Sequence, residues 1–206
     1  PAFYPQRKPH IIRQRGEKFL AETYNFNVTT FFVLLNVLYI SLLFLKRIFI
    51  IDNIAAFEIL QERGEFWIID IILSLQYFVV PIFLIWKFLL TTFLLWMGCF
   101  IFGYKLTFAQ LWKWVMFAEL IFLLPEVVKI IWFTIFQPEP SFQDYQAFYP
   151  FSMINLVDYS QINTRWLYPL KSINLFEILY QLVLIVGIYI LSRKKINISA
   201  YVVLSS

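Results

Sequence analysis

The sequence predicts an all-α, polytopic transmembrane helical bundle, and three observations predict it. Only 15% of the 206 residues are charged and 61% are hydrophobic, where a soluble domain carries about 25% charged residues. Apolar runs near the length of about 20 residues that crosses a bilayer recur along the chain. The 24 Phe, 12 Tyr and 7 Trp suit lipid-facing helices with aromatic belts at both interfaces. A mean hydropathy of +0.71 agrees.

Residues 1–27 are basic, with Arg7, Lys8, Arg13, Arg15 and Lys18 against Glu17 and Glu22. Pro1, Pro5 and Pro9 argue against a helix at the very start. The segment reads as a cytoplasmic, basic N-terminal topology signal, with Ile11, Ile12, Phe19 and Leu20 able to lie on the membrane surface. Its expected partner is the lipid bilayer, not nucleic acid. The transmembrane domain then occupies 28–206. A first span, 28–45, is free of charge until Lys46.

Residues 46–78 are mixed and read as an outer loop. Ile51, Ile54, Ala55, Glu58 and Ile59 have helical spacing, predicting an interfacial amphipathic helix that breaks at Gly64. A second apolar piece, 66–78, carries Asp70 and is too short to cross alone, so it is expected to be re-entrant or interfacial. A second span is placed at 79–102, with Pro81 in its first turn, where proline is tolerated. Lys87 lies near its outer third. A rival reading makes 66–86 and 88–104 two spans with Lys87 in a tight turn.

Thr107 and Gln110 make a capping-box pattern that starts the next helix near Phe108. The third span, 111–136, is kinked by Pro125 and holds Glu119, Glu126 and Lys129. Glu119 and Glu126 are seven apart on one face, and Lys129, three beyond Glu126, is expected to pair with it. Charges at such depth face protein or water. Two readings stay open for the candidate intramembrane polar site Glu119, Glu126, Lys129 and Lys87: paired contacts between helices, or the lining of a path for an ion, proton or polar solute.

Residues 137–171 form a second outer loop, broken by Pro138, Pro140, Pro150 and Pro169. Its aromatic residues, among them Phe142, Tyr145, Phe148, Tyr149, Phe151, Tyr159, Trp166 and Tyr168, predict that it folds back on the membrane surface or onto a partner. The fourth span, 173–192, opens with Asn174 and Glu177 at N-cap and N3 spacing, which makes Glu177 an end-of-helix residue. Gly187 permits close helix approach. After Arg193, Lys194 and Lys195 the chain turns apolar again, and a fifth span is expected to follow.

With the N-terminus in the cytoplasm, four spans place ten Lys and Arg on the inner side and five on the outer, the direction that the positive-inside rule requires. The five-span rival moves Lys105 and the 193–195 cluster outside.

Candidate chemistry is sparse. His10 and Cys99 are single, so paired-histidine haem and Cys or His zinc sites lack their residues, and the one histidine lies in the basic N-terminal segment. Five scattered glycines make no phosphate-binding loop. No catalytic, cofactor-binding or metal-binding residue is assigned, and no cofactor or enzymatic activity is expected. The reading is a scaffold or accessory subunit that docks with other membrane protein subunits in a bacterial inner membrane. The alternative is a transport or permease subunit with the polar path above.

Phe102, Gly103, Lys105, Thr107, Phe108, Gln110 and Leu111 resemble the central signature of the Yip family, in which a helix ending in Phe–Gly is followed by a basic Thr/Ser–Phe–x–Gln–Leu turn. Asn174, Leu175 and Phe176 resemble the opening of that family's penultimate helix, and residues 198–206 the start of its last one. The likeness is to small bacterial inner-membrane members, Bacteroidetes type, and covers about 79–206. It implies five spans with a cytoplasmic N-terminus and transfers no catalytic residue. Two of the five glycines lie near the signature, and 46–78 has no counterpart in it.

Overall fold

The computed structural model describes residues 26–54, 64, 67–138, 144–145, 148–157, 163–192 and 196–205. The described residues are helical, with no strand beyond one isolated bridge between Ser152 and Asn174. Helix α1 covers Val28–Phe49 and α2 covers Trp67–Ile101. Helix α3, Phe108–Ala118, passes through a 3₁₀ turn, Glu119–Phe122, into α4, Leu123–Ile135. A short α5, Thr164–Ser172, precedes α6, Leu175–Ser192, and α7, Ile196–Ser205. Among these, α1, α2 and α6 are long and apolar enough to cross a membrane.

Local chemistry sets the helix ends. The Asn27 side chain accepts hydrogen bonds from the Thr29 and Thr30 amides and starts α1. Thr107 and Gln110 form both halves of the capping box of α3. The Asn174 carboxamide accepts from the Glu177 amide at 2.8 Å and donates to the Lys171 and Ser172 carbonyls, so one buried side chain joins α5 to α6.

Helix α2 ends in a Schellman turn. Tyr104 N–H bonds to the Cys99 carbonyl at 2.8 Å and Gly103 N–H to that of Phe100 at 3.1 Å, with Gly103 at φ 68°. That left-handed backbone is the reason for glycine. A Cβ at Gly103 would meet nothing within 4 Å, so Gly103→Ala is expected to cost only the conformational strain, about 1 kcal/mol. A small drop in the detergent-solubilised unfolding midpoint, with no change in spectrum, checks this.

Two expectations for this region are corrected. The piece 66–78 is not separate from the second span: α2 is one helix of 35 residues. Pro81 therefore lies well inside it rather than in its first turn, and Lys87 sits mid-helix rather than near one end, which also excludes the rival reading with Lys87 in a tight turn. Asp70 does not interrupt the apolar run because it falls in the first turn of α2, where a carboxylate complements the exposed amides, and because the Arg47 guanidinium at the end of α1 donates to it. Pro81 removes one backbone donor without ending a helix whose surroundings are apolar.

The expected kink at Pro125 takes the form of the preceding 3₁₀ turn. Proline lacks the amide hydrogen and its ring conflicts with the carbonyl four residues back, that of Ile121. The tightened turn precedes it at Glu119–Phe122. The expected amphipathic helix over 51–63 lies largely outside the described residues; Ile50, Ile51 and Ile54 at its start are buried, and Gly64 has φ 70°. The basic segment 1–27 also lies outside them up to residue 25.

The core runs between α1, α2, α3, α6 and α7. It centres on Leu35, Leu84, Phe88, Trp114, Leu184 and Ile188. The buried positions of α2 are Leu84, Phe88, Thr92, Leu95, Gly98 and Cys99, one face of its C-terminal half. At α3 against α6 the Trp114 indole donates to the Val183 carbonyl at 2.9 Å and lies flat in the notch left by Gly187, where a Cβ would stand 1.7 Å from its Nε1. Of the second loop, Phe148 stacks on Trp132 with centroids 5.2 Å apart and meets Phe133 edge-on at 5.3 Å. Phe151 meets Phe176 at 6.0 Å, so this part of the loop folds back onto α4 and α6. Phe142 and Tyr159 lie outside the described residues.

Candidate functional site

Glu119 opens the 3₁₀ turn that follows α3 and is 1% exposed, turned inward between helices. Its Oε1 accepts two hydrogen bonds, from Lys87 Nζ of α2 at 2.7 Å and from the Tyr39 hydroxyl of α1 at 2.8 Å. Its Oε2 is buried with no hydrogen-bond partner. Lys87 Nζ also lies 3.8 Å from the Phe122 ring centroid and 5.8 Å from that of Tyr180, placing the ammonium over two negative π faces. One carboxylate thus gathers α1, α2, the 3₁₀ turn and α6.

The second pair is Lys46 Nζ of α1 with Glu126 Oε2 of α4, at 2.9 Å. This corrects the expected Glu126–Lys129 pairing. Lys46 faces Glu126 from the neighbouring helix, and Lys129 turns to the loop, donating to the Tyr145 carbonyl at 2.8 Å with its ammonium 4.1 Å from the Tyr145 ring. Tyr39 and Lys46 are seven residues apart, as are Glu119 and Glu126. Two helices that pair at both steps run parallel and in register, and α1 is therefore parallel to α3 and α4. The α3–α6 contacts run the other way, Trp114 against Val183 and Phe122 against Tyr180, so α6 is antiparallel to α3.

The four sequence-derived site residues do not converge. Lys87 and Glu119 form one contact, while Glu126 lies two turns away, about 10 Å along the helix, with Lys46; Lys129 stands beyond it. Tyr39 and Lys46 were not legible as site residues from charge alone, yet their seven-residue spacing, matching Glu119 to Glu126, is the signal that would have found them.

Near the second pair, burial pushes the Tyr149 phenol up to about 12, and the Glu126 and Glu177 charges push in the same direction. Burial lowers the Lys171 ammonium. Among the described residues no three His, Cys, Asp or Glu gather into a metal-holding group. The site can neutralise charge and hold helices in register. Comparison with family models, with curated proteins and with solved structures yields no match to this chain.

Proposed function

We propose that this is a non-enzymatic integral membrane protein that serves as a scaffold or accessory subunit of a larger membrane assembly. One observation carries the reading. At about 52 Å, α2 exceeds a hydrocarbon core of about 30 Å. Its N-terminal part is apolar and exposed at Trp67, Ile68, Ile71, Ile72 and Leu75. The C-terminal end of α4 exposes Ile135 and Phe136 at 67% each. Exposed apolar side chains along a helix longer than that core favour a protein neighbour.

The pairing of Lys87 with Glu119 and of Lys46 with Glu126 supports the same reading, because each of those charges has its counter-ion within the chain. Counting α3 with α4 as one broken crossing gives four crossings with a cytoplasmic N-terminus in an inner membrane. The ten-to-five bias of basic residues supports that orientation. A fifth crossing and the Yip-like relationship belong to the proposal.

One observation favours the alternative, a transport subunit: Glu119 Oε2 lacks a partner. Extraction in a gentle detergent, followed by mass spectrometry of what co-purifies, separates the two. A stoichiometric set of membrane partners is the expected result. Recovery as a lone monomer or homo-oligomer would sink the scaffold reading and direct attention to solute flux in Glu119→Gln and Glu126→Gln.

A further inference from the structure

Lys129 is a half-buried ammonium on α4. Its hydrogen bond goes to a neutral carbonyl and its ring contact to Tyr145. Glu126, the nearest carboxylate on its own helix, is held by Lys46 at 2.9 Å. Two ammonium groups therefore share one carboxylate. The charge of Lys171, at the end of α5, also acts on Lys129, alongside that of Lys46. The position is specific: Lys46 lies in the last turn of α1 and Lys171 in the last turn of α5, just ahead of Leu175 at the start of α6.

We propose that Lys129, with Tyr145 beside it, the Lys46–Glu126 pair next to it and the charge of Lys171 in reach, forms a site for a phosphate group at the membrane surface. An ammonium is a strongly hydrated point charge, and partial burial removes its water. A phosphate oxygen supplies both a negative charge, which among the described residues Lys129 has only in the Glu126 carboxylate that Lys46 holds, and a charge-assisted acceptor. A phospholipid headgroup and a free phosphate ion offer the same chemistry. The Tyr145 contact leaves the ammonium two further protons to donate.

The test compares wild type with Lys129→Gln, Lys129→Arg and Lys105→Gln, the last at the opposite end of the molecule. Native mass spectrometry from phosphatidylcholine nanodiscs containing phosphatidylglycerol counts retained anionic lipid. Thermal unfolding in detergent with added sodium phosphate reads the free ion. Wild type is expected to retain about tenfold more phosphatidylglycerol than Lys129→Gln, a difference of about 1.4 kcal/mol. Lys129→Arg and Lys105→Gln are expected to behave as wild type. Stabilisation of wild type but not Lys129→Gln by phosphate, without lipid retention, would assign the site to the free ion. Equal lipid retention and equal phosphate response in wild type and Lys129→Gln would overturn the proposal. Should Lys129→Gln not fold, Lys171→Gln makes the same comparison, with the same two outcomes.

Discussion

Lys87→Met is expected to destabilise the protein by about 3–5 kcal/mol, the usual cost of leaving a buried charge without its partner. Glu119 is 1% exposed and Lys87 is its only cation among the described residues; with the ammonium gone, the carboxylate keeps only the Tyr39 hydroxyl. The loss should appear as a lower unfolding midpoint in detergent and lower yield in the membrane. The double variant Lys87→Met with Glu119→Gln discriminates the cause. Neutralising both partners removes the orphaned charge, and most of the stability is expected to return, because a buried pair contributes little beyond an uncharged replacement of similar volume. If the double variant is as unstable as the single one, packing of the Lys87 stem against Phe122 and Tyr180 is the larger effect.

Gly187→Ala is the second large effect. The added Cβ would stand 1.7 Å from Nε1, 2.0 Å from Cε2 and 2.2 Å from Cδ1 of the Trp114 indole. The ring cannot yield in place, since it is 6% exposed and packed 5.4 Å from Phe117. It must tilt out and break its bond to the Val183 carbonyl, or α3 and α6 must separate. Overpacking of about 1–3 kcal/mol with the lost hydrogen bond of about 1 kcal/mol gives an expected loss of about 2–4 kcal/mol. Trp114→Ala in the Gly187→Ala background removes the overlap. The combined cost is therefore expected to be less than the sum of the two single costs, measured by the same unfolding midpoint.

The helix ends were legible where one side chain decides them. Thr107 with Gln110 and Asn174 with Glu177 cap by short-range geometry that sequence spacing contains. The start of α1 and the extent of α6 followed from uncharged runs bounded by polar residues, while α1 runs on through Lys46 and Arg47 to Phe49. The start of α2 was not legible, because Asp70 and Pro81 both read locally as interruptions. What overrides them is tertiary: Arg47 arrives from α1 to meet Asp70, and the apolar surroundings carry the chain through Pro81. Glu126 shows the same limit at the site. Lys129 is its neighbour at i+3, but the facing helix supplies Lys46, and no pattern within residues 111–136 reports which helix faces it.

The parallel register of α1 with α3 and α4 also fixes an order of events during synthesis. Tyr39 meets Glu119, and Lys46 meets Glu126, each across 80 residues of chain. At about 5–20 residues per second, each partner on α1 waits about 4–16 s for its carboxylate. Lys87 waits less, about 2–6 s, for the 32 residues to Glu119. During that interval a lysine near the middle of α2 has no counter-ion in the growing chain. Its long stem must reach for water at the surface, so α2 cannot settle at its final depth until the 3₁₀ turn has left the ribosome. The placement of the longest helix is thus decided by a residue that has yet to be made when α2 itself is complete.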